Sequence, residues 1–210
     1  MIRKYEAKDR QEARDIVYDC AFMGEPASAF FDGKKLISDS LTLYFTDYEP
    51  RSSFVKEIDK KVVGCLIGAK NKVVSERVIK DKVAPSLFYE ALTSGALLKI
   101  KNIRLLLNLI SSMIEGEFKL PNFTDEYPAT FHINIKKEFR DQRIGAELIA
   151  AFLSYLKEEG VLGVHIATMS NSAARFFSAQ GFQLLHQGFR SYFKHILHKN
   201  IPIYIYGKKL

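Results

Sequence analysis

The stretch from Ile133 to Gly160, INIKKEFRDQRIGAELIAAFLSYLKEEG, constrains the fold of this chain more than any other segment. It begins as an apolar strand, crosses a polar turn with arginines, and continues beyond Gly145 as a long helix that Gly160 ends. One face of that helix is apolar and consists of Ile144, Leu148, Ile149, Phe152, Leu153 and Leu156. Strand, turn and helix in this order predict a βα unit of an α/β fold.

The rest of the chain extends this unit into one expected order, β-α-α-β-β-(helical insertion)-β-α-β-α-β-β. Asp9, with Glu12 three residues later, predicts a capping box at the start of the first helix. Alternating and apolar runs predict the strands, which are a hairpin at Phe54 to Gly68, then Ala129 to Ile135, Gly163 to Thr168, FQLLHQGF and IPIYIYGKKL. We therefore expect a mixed sheet of six to seven strands with helices on both faces.

Length and composition indicate one soluble domain over residues 1–210, with the helical insertion at about 73–127. The net charge of +7 allows an anionic ligand, an acidic partner or nucleic acid without choosing among them. Cys20 and Cys65 are expected to be free thiols, and no metal-ligand spacing occurs. The N-terminus does not read as a signal peptide, so a cytoplasmic location is expected. Lys99, Lys101 and Arg104 interrupt the most apolar segment, which predicts a core or interface helix rather than a membrane span.

The turn at 140–146 has the chemistry of an anion site. The first N–H groups of a helix have no partner within it and carry partial positive charge, which suits a phosphate or pyrophosphate. Arg140 and Arg143 add charge, and Gly145 lets another group approach the backbone closely. The residues alone leave a second interpretation open, which is a simple helix start with solvated arginines.

Two motifs resemble those of the GNAT family of N-acetyltransferases. The first is INIKKEFRDQRIGAELI, in which Ile135, Arg140 and Gly145 match the strand and the Arg/Gln-x-x-Gly-x-Gly/Ala turn of the family. Arg143 stands where the first glycine is usual. The second is SNSAARFFSAQGF, in which Asn171, Ala174 and the Gly181-Phe182 pair match the family pattern Asn-x-x-Ala…Tyr-x-x-x-Gly-Phe.

The resemblance implies a GNAT fold, with acetyl-CoA between a splayed fourth and fifth strand. The cofactor would bond backbone groups near Ile133 and Ile135 through its pantetheine arm and would place its pyrophosphate on the turn. The implied cofactor-binding residues are Ile133, Ile135, Arg140, Asp141, Gln142, Arg143, Ile144, Gly145, Ala146, Asn171, Ala174 and Phe177. Phe177 occupies the place of the family's tyrosine and has no proton to give to the leaving thiolate.

Acetyl transfer also needs a group that takes a proton from the amine. His132 and His165 lie on the two central strands, and strand alternation puts His132 and Asn134 on one face. We predict His132, His165 and Asn134 as the catalytic residues on the acceptor side. Strand histidines that only bond polar neighbours are the alternative.

These features predict an acetyl-CoA-dependent N-acetyltransferase, an enzyme that acts on an unidentified amine without nucleic-acid or membrane partners, as a monomer or homodimer. The alternative is a non-catalytic acyl-CoA-binding domain, which Phe177 favours. The pattern FHINI…GVHIA is similar to the acetyltransferase-like domain of some O-GlcNAcases. An adaptor for nucleic acid or membrane lacks a recognised motif in this chain.

Overall fold

A computed structural model describes all residues from 1 to 210 and shows one seven-stranded sheet. Its strands are β1 (Ile2–Lys4), β2 (Phe54–Ile58), β3 (Lys61–Ala69), β4 (Ala129–Ile135), β5 (Gly163–Thr168), β6 (Gln183–Arg190) and β7 (Ile201–Lys209). The strand order is β1-β2-β3-β4-β5-β7-β6, and only β4 and β5 pair in parallel. The expected mixed sheet is confirmed.

Helices cover both faces of this sheet. They are α1 (Arg10–Cys20), α2 (Lys34–Leu43), α3 (Lys72–Val78), α4 (Ala84–Thr93), α5 (Ile100–Ile114), α6 (Ile144–Glu158), α7 (Asn171–Ala179) and α8 (Lys194–Leu197). Along β3, Leu66 packs into the core beneath α6 and α7, while Cys65 and Ile67 pack into the core beneath α1. Val63 joins the Leu66 side because a register shift opposite Lys56 and Glu57 breaks the alternation there. The sheet thus has one face under α6 and α7 and an opposite face under α1, named here the α1 face.

The β4 and β5 strands pair only at their first residues, through Ala129 with Val164 and Thr130 with His165. Beyond that point they diverge, as the splay prediction requires. The Lys136 N–H donates to the Val63 carbonyl at 2.9 Å. Because an antiparallel ladder alternates, the backbone groups of Ile133 and Ile135 point away from β3, into the splay. The backbone groups of Ile133 and Ile135 therefore lie on the edge of β4 that β5 leaves unpaired.

The predicted insertion is helical and lies between β3 and β4, where it contains α3, α4 and α5. The longest helices of the protein have 15 residues, and none is long and apolar enough to cross a membrane. Both cysteines are free; Cys65 is buried and Cys20 is half-buried.

The capping-box prediction at Asp9 and Glu12 is wrong. Glu6 and Asp9 form the capping box one turn earlier, around a short 3-10 turn. Asp9 also accepts two hydrogen bonds from Arg3, and Glu12 instead accepts from the Val62 N–H at 3.2 Å. The prediction failed because tertiary partners of both carboxylates outweighed the local pattern.

Candidate functional site

The turn before α6 carries six successive backbone N–H groups, from Asp141 to Ala146, that donate to no acceptor in the protein. Asp141 and Arg143 both adopt left-handed backbone, with φ of 63° and 60°. Left-handed residues next to a helix start turn successive N–H groups into one concavity that favours an anion. The turn therefore has the donors that a pyrophosphate requires.

The two arginines of the turn have different surroundings. Arg140 donates from Nε to the Ile135 carbonyl at 3.1 Å and from Nη2 to the Gly24 carbonyl at 2.8 Å. Its backbone N–H already donates to the Lys137 carbonyl at 3.3 Å, so the free row begins one residue later than expected. The Arg143 side chain is exposed and forms no ion pair. Arg140 therefore fixes the end of β4, while Arg143 is available to a ligand.

Gly145 meets a packing requirement that the sequence pattern did not reveal. A Cβ at this position would lie 3.0 Å from Cζ of Phe176 and 3.4 Å from Cδ1 of Ile135. The first turn of α6 is thus held close to α7 and to the end of β4. This approach brings the free N–H groups of the turn to the open edge of β4.

The predicted α7 residues divide between two sides of that helix. Asn171 accepts a hydrogen bond from the Tyr204 hydroxyl at 3.0 Å. With Ala174 and Ser178 it lines an open cavity of about 590 Å³ between α7 and β7. Phe177 is buried on the sheet side, 6.0 Å from the ring of Phe131. Its position in the core follows the motif, but it offers no hydroxyl to the splay.

His132 is on the α1 face of β4, as alternation predicts, and Asn134 shares that face. The His132 ring meets Phe45 edge-on, with centroids 5.4 Å apart, and neither His132 nor Asn134 bonds a protein group. The His132 side chain is exposed to solvent, with protein atoms crowded around it. Burial there lowers its pKa below the ordinary 6.5. The imidazole is therefore neutral at pH 7 and free to accept a proton.

His165 pairs with Thr130 in register and shares the face of His132. Its side chain is 5% exposed, and its Nδ1 lies 2.6 Å from the Tyr127 carbonyl. Because a carbonyl only accepts, Nδ1 carries the proton of this bond. Burial lowers the pKa of His165, while the bond to Tyr127 opposes that effect. This geometry favours an anchor for the end of the insertion.

An aromatic cluster that the sequence analysis did not single out closes one side of the α1 face. Phe22 and Phe30 follow α1, and Phe193 precedes α8; their rings lie within 5.6 Å of one another, centroid to centroid. Leu105 of α5 packs into the same cluster. The loop after α1, the connection between β6 and β7, and the insertion therefore meet beside the His132 face. The sequence signal that could have predicted this cluster is the presence of aromatic residues in the turn-rich segment after α1.

No protein-family model matches the chain, and no curated protein matches it in sequence. Solved structures match its fold. A protein named SsHAT has a TM-score of 0.75 at 20% identity, over 100% of this chain and 97% of that one. A Drosophila melanogaster polyamine N-acetyltransferase has a TM-score of 0.61 at 13% identity, over 100% and 99%. A ribosomal-protein-alanine N-acetyltransferase from Brucella melitensis has a TM-score of 0.58 at 14% identity, over 100% and 99%. The fold expected from the two motifs is confirmed as that of the GNAT acetyltransferases.

Proposed function

We propose that this chain is an acetyl-CoA-dependent N-acetyltransferase that moves an acetyl group to an amine by direct attack in a ternary complex. The observation that carries the proposal is the meeting of three features at one splay. These are the free N–H row at Asp141 to Ala146, the open β4 edge at Ile133, and the unbonded His132 side chain on the α1 face.

The backbone supplies most of the cofactor site. The N–H row would hold the pyrophosphate, and the Arg143 guanidinium would add charge beside it. The open edge of β4 would pair with the amide-bearing arm of the cofactor as a further strand pairs with a sheet. At the Ile135 carbonyl this edge is already used, since Arg140 and the Cys20 thiol both donate to it. The available pairing therefore lies one pleat earlier, at Ile133.

When bound, acetyl-CoA supplies a thioester whose carbonyl carbon is the electrophile. His132 would take the proton that the amine releases as it attacks, directly or through one water. Its lowered pKa keeps the accepting form populated at pH 7. Asn134, two residues along the same face, would orient the amine or that water. The proposal assigns His165 to positioning, because its Nδ1 is committed to Tyr127.

The leaving thiolate would receive no proton from Phe177. A thiol with an ordinary pKa of roughly 8.5 is a good leaving group, so transfer needs no strong acid at this position. Holding the amine and the thioester together in one splay then supplies much of the acceleration. Without an acid, the rate should depend more on the basicity of the amine and less on proton donation.

The test is release of free thiol from acetyl-CoA with a panel of amines, run beside calorimetry with acetyl-CoA. The expected result is micromolar binding and thiol release that depends on the amine. His132→Gln should reduce turnover by about 10²- to 10⁴-fold, the usual contribution of a general base, and leave cofactor binding intact. His186→Gln on the outer strand β6 is the matched control and should change neither quantity.

Two outcomes would contradict the proposed function, and a third would reject only the assigned base. Binding without turnover on any amine would favour the non-catalytic acyl-CoA-binding domain, which Phe177 favours. Absence of micromolar binding would exclude both functions. Turnover that His132→Gln leaves unchanged would retain the enzyme and reject the assigned base.

A further inference from the structure

Helix α5 differs from an ordinary surface helix, because its exposed side is apolar and polar residues are among those it buries. Its polar residues Asn102 and Ser112 are buried against the protein. Its exposed side consists of apolar residues, namely Ile100, Ile103, Leu106, Leu107, Ile110, Met113 and Ile114, with exposures from 41% to 82%. A soluble monomer rarely leaves so much contiguous apolar surface in water. This exposed side therefore requires an explanation.

Hydrogen bonds on the inner side fix the orientation of α5. The Asn102 amide bonds both the N–H and the carbonyl of Asp32, at 2.7 and 2.8 Å. In the last turn of α5, the Ser112 hydroxyl lies 2.9 Å from the Ser191 hydroxyl. The helix cannot roll its apolar side inward without leaving these buried polar groups unpaired. The buried hydrogen bonds thus hold the apolar side of α5 in its exposed position.

The exposed side has a helix-packing register. Five of its residues follow the 3-4-3-4 spacing of a heptad seam, which runs Ile100, Ile103, Leu107, Ile110 and Ile114. Arg104 is the one exposed charged residue within α5. A seam in this register fits the ridges of another helix, whereas a lipid surface needs only an apolar face. The seam also has isoleucines on both sides of a central leucine, so the order of its residue types is the same in both directions.

We propose that a second copy of this chain covers the seam, with two α5 helices packed antiparallel across a two-fold axis near Leu107. A two-fold interface uses the same patch on both subunits, and the nearly palindromic seam is suited to that pairing. The seven exposed residues, with Leu97 and Leu98 before them, offer about 700 Å² at about 130 Å² per whole aliphatic side chain. Each partner of a standard interface buries roughly 800 Å².

Sedimentation with light scattering on the full chain tests this pairing. The wild type should have twice the 24.0 kDa chain mass. Leu107→Glu should have the mass of one chain, because two like charges would meet at the axis. Leu162→Glu is the matched control, since Leu162 is 67% exposed, against 62% for Leu107, but lies between α6 and β5. It should remain dimeric, and circular dichroism should show all three proteins folded.

A cross-link tests the axis without adding charge. Leu107→Cys should form a covalent dimer on mild oxidation, whereas Leu162→Cys should not; the wild type measures the background from Cys20 and Cys65. A wild type of single-chain mass at tens of micromolar would overturn the proposal. So would a Leu107→Glu variant that stays dimeric. A monomer that floats with vesicles of 3:1 phosphatidylcholine and phosphatidylglycerol would assign the seam to a lipid surface instead.

Discussion

Replacing Ala146 with proline removes one N–H donor from the turn and nothing else of the proposed cofactor site. The Ala146 N–H has no acceptor in the protein, and Ala146 is the third residue of α6. Proline is tolerated in the first turn of a helix, where the missing N–H would be unpaired in any case. The free energy of unfolding should fall only modestly, because no hydrogen bond is lost and the main cost is that proline disfavours helical backbone at the preceding Gly145.

The effect on cofactor binding should be much larger than the effect on stability. A hydrogen bond to a charged group contributes about 1.5–3 kcal/mol. Its loss should raise the calorimetric Kd for coenzyme A by about 10- to 100-fold, since each 1.4 kcal/mol is tenfold. Ala146→Ser keeps the N–H and should bind as the wild type does.

The matched control is Val73→Pro, which removes an equally unpaired N–H in the first turn of α3, away from the splay. It should leave the Kd for coenzyme A unchanged. The reasoning is refuted if Ala146→Pro, folded by thermal melting, binds coenzyme A with wild-type affinity. Equal losses in Ala146→Pro and Val73→Pro would also refute it, because the effect would then not belong to the turn.

Three further changes test neighbouring parts of the account. Arg143→Gly relieves about 1 kcal/mol of left-handed backbone strain but raises the conformational entropy of the unfolded chain by a similar amount of free energy, so the Tm should change little. The Kd for coenzyme A should rise about 5- to 30-fold, because the guanidinium is lost. Arg143→Lys keeps the charge and should largely retain the affinity. Burial lowers the pKa of both His132 and His165 below 6.5, so the unfolded chain takes up protons first and the free energy of unfolding should fall as pH drops below 6.5. The rate of amine acetylation should fall on the acid side with an apparent pKa below 6.5. If His132→Gln shows the same fall, the titrating group is another residue. Gly68→Ala would place a Cβ 2.6 Å from the buried Phe152 ring and 2.9 Å from the Ser52 carbonyl, which should cost about 1–3 kcal/mol and lower the Tm by several degrees; an unchanged Tm would show that the sheet and α6 can separate freely.

The βα unit at Ile133 to Gly160 was predictable because each local signal agrees with the fold. The apolar strand, the glycine in the turn and the amphipathic helix all favour the same arrangement, and the structure contains each of them. The N-cap of α7 is equally local, since Ser170 accepts from the Ala173 N–H only three residues later. Period-two alternation also placed His132 and Asn134 on one face, since it depends only on strand geometry, whereas the face of His165 required the β4–β5 register.

Other features depend on tertiary contacts that the local sequence pattern does not reveal, and they could not be predicted. The Asp9 carboxylate is taken by Arg3, and the Glu12 carboxylate by the backbone of β3. The guanidinium of Arg140 is taken by Gly24, 116 residues away. The exposed apolar side of α5 was hidden for the same reason, because only the contacts of α5 at Asp32 and Ser191 show which side faces the protein.

Amide chemical shifts on addition of acetyl-CoA test the central claim most directly. The account predicts downfield shifts of the Asp141 to Ala146 amides, because each N–H would gain a charged acceptor, together with shifts at the open edge of β4 near Ile133. The amides of the outer strand β6 should not move. Shifts confined to residues outside both segments, or none at saturating acetyl-CoA, would contradict the account.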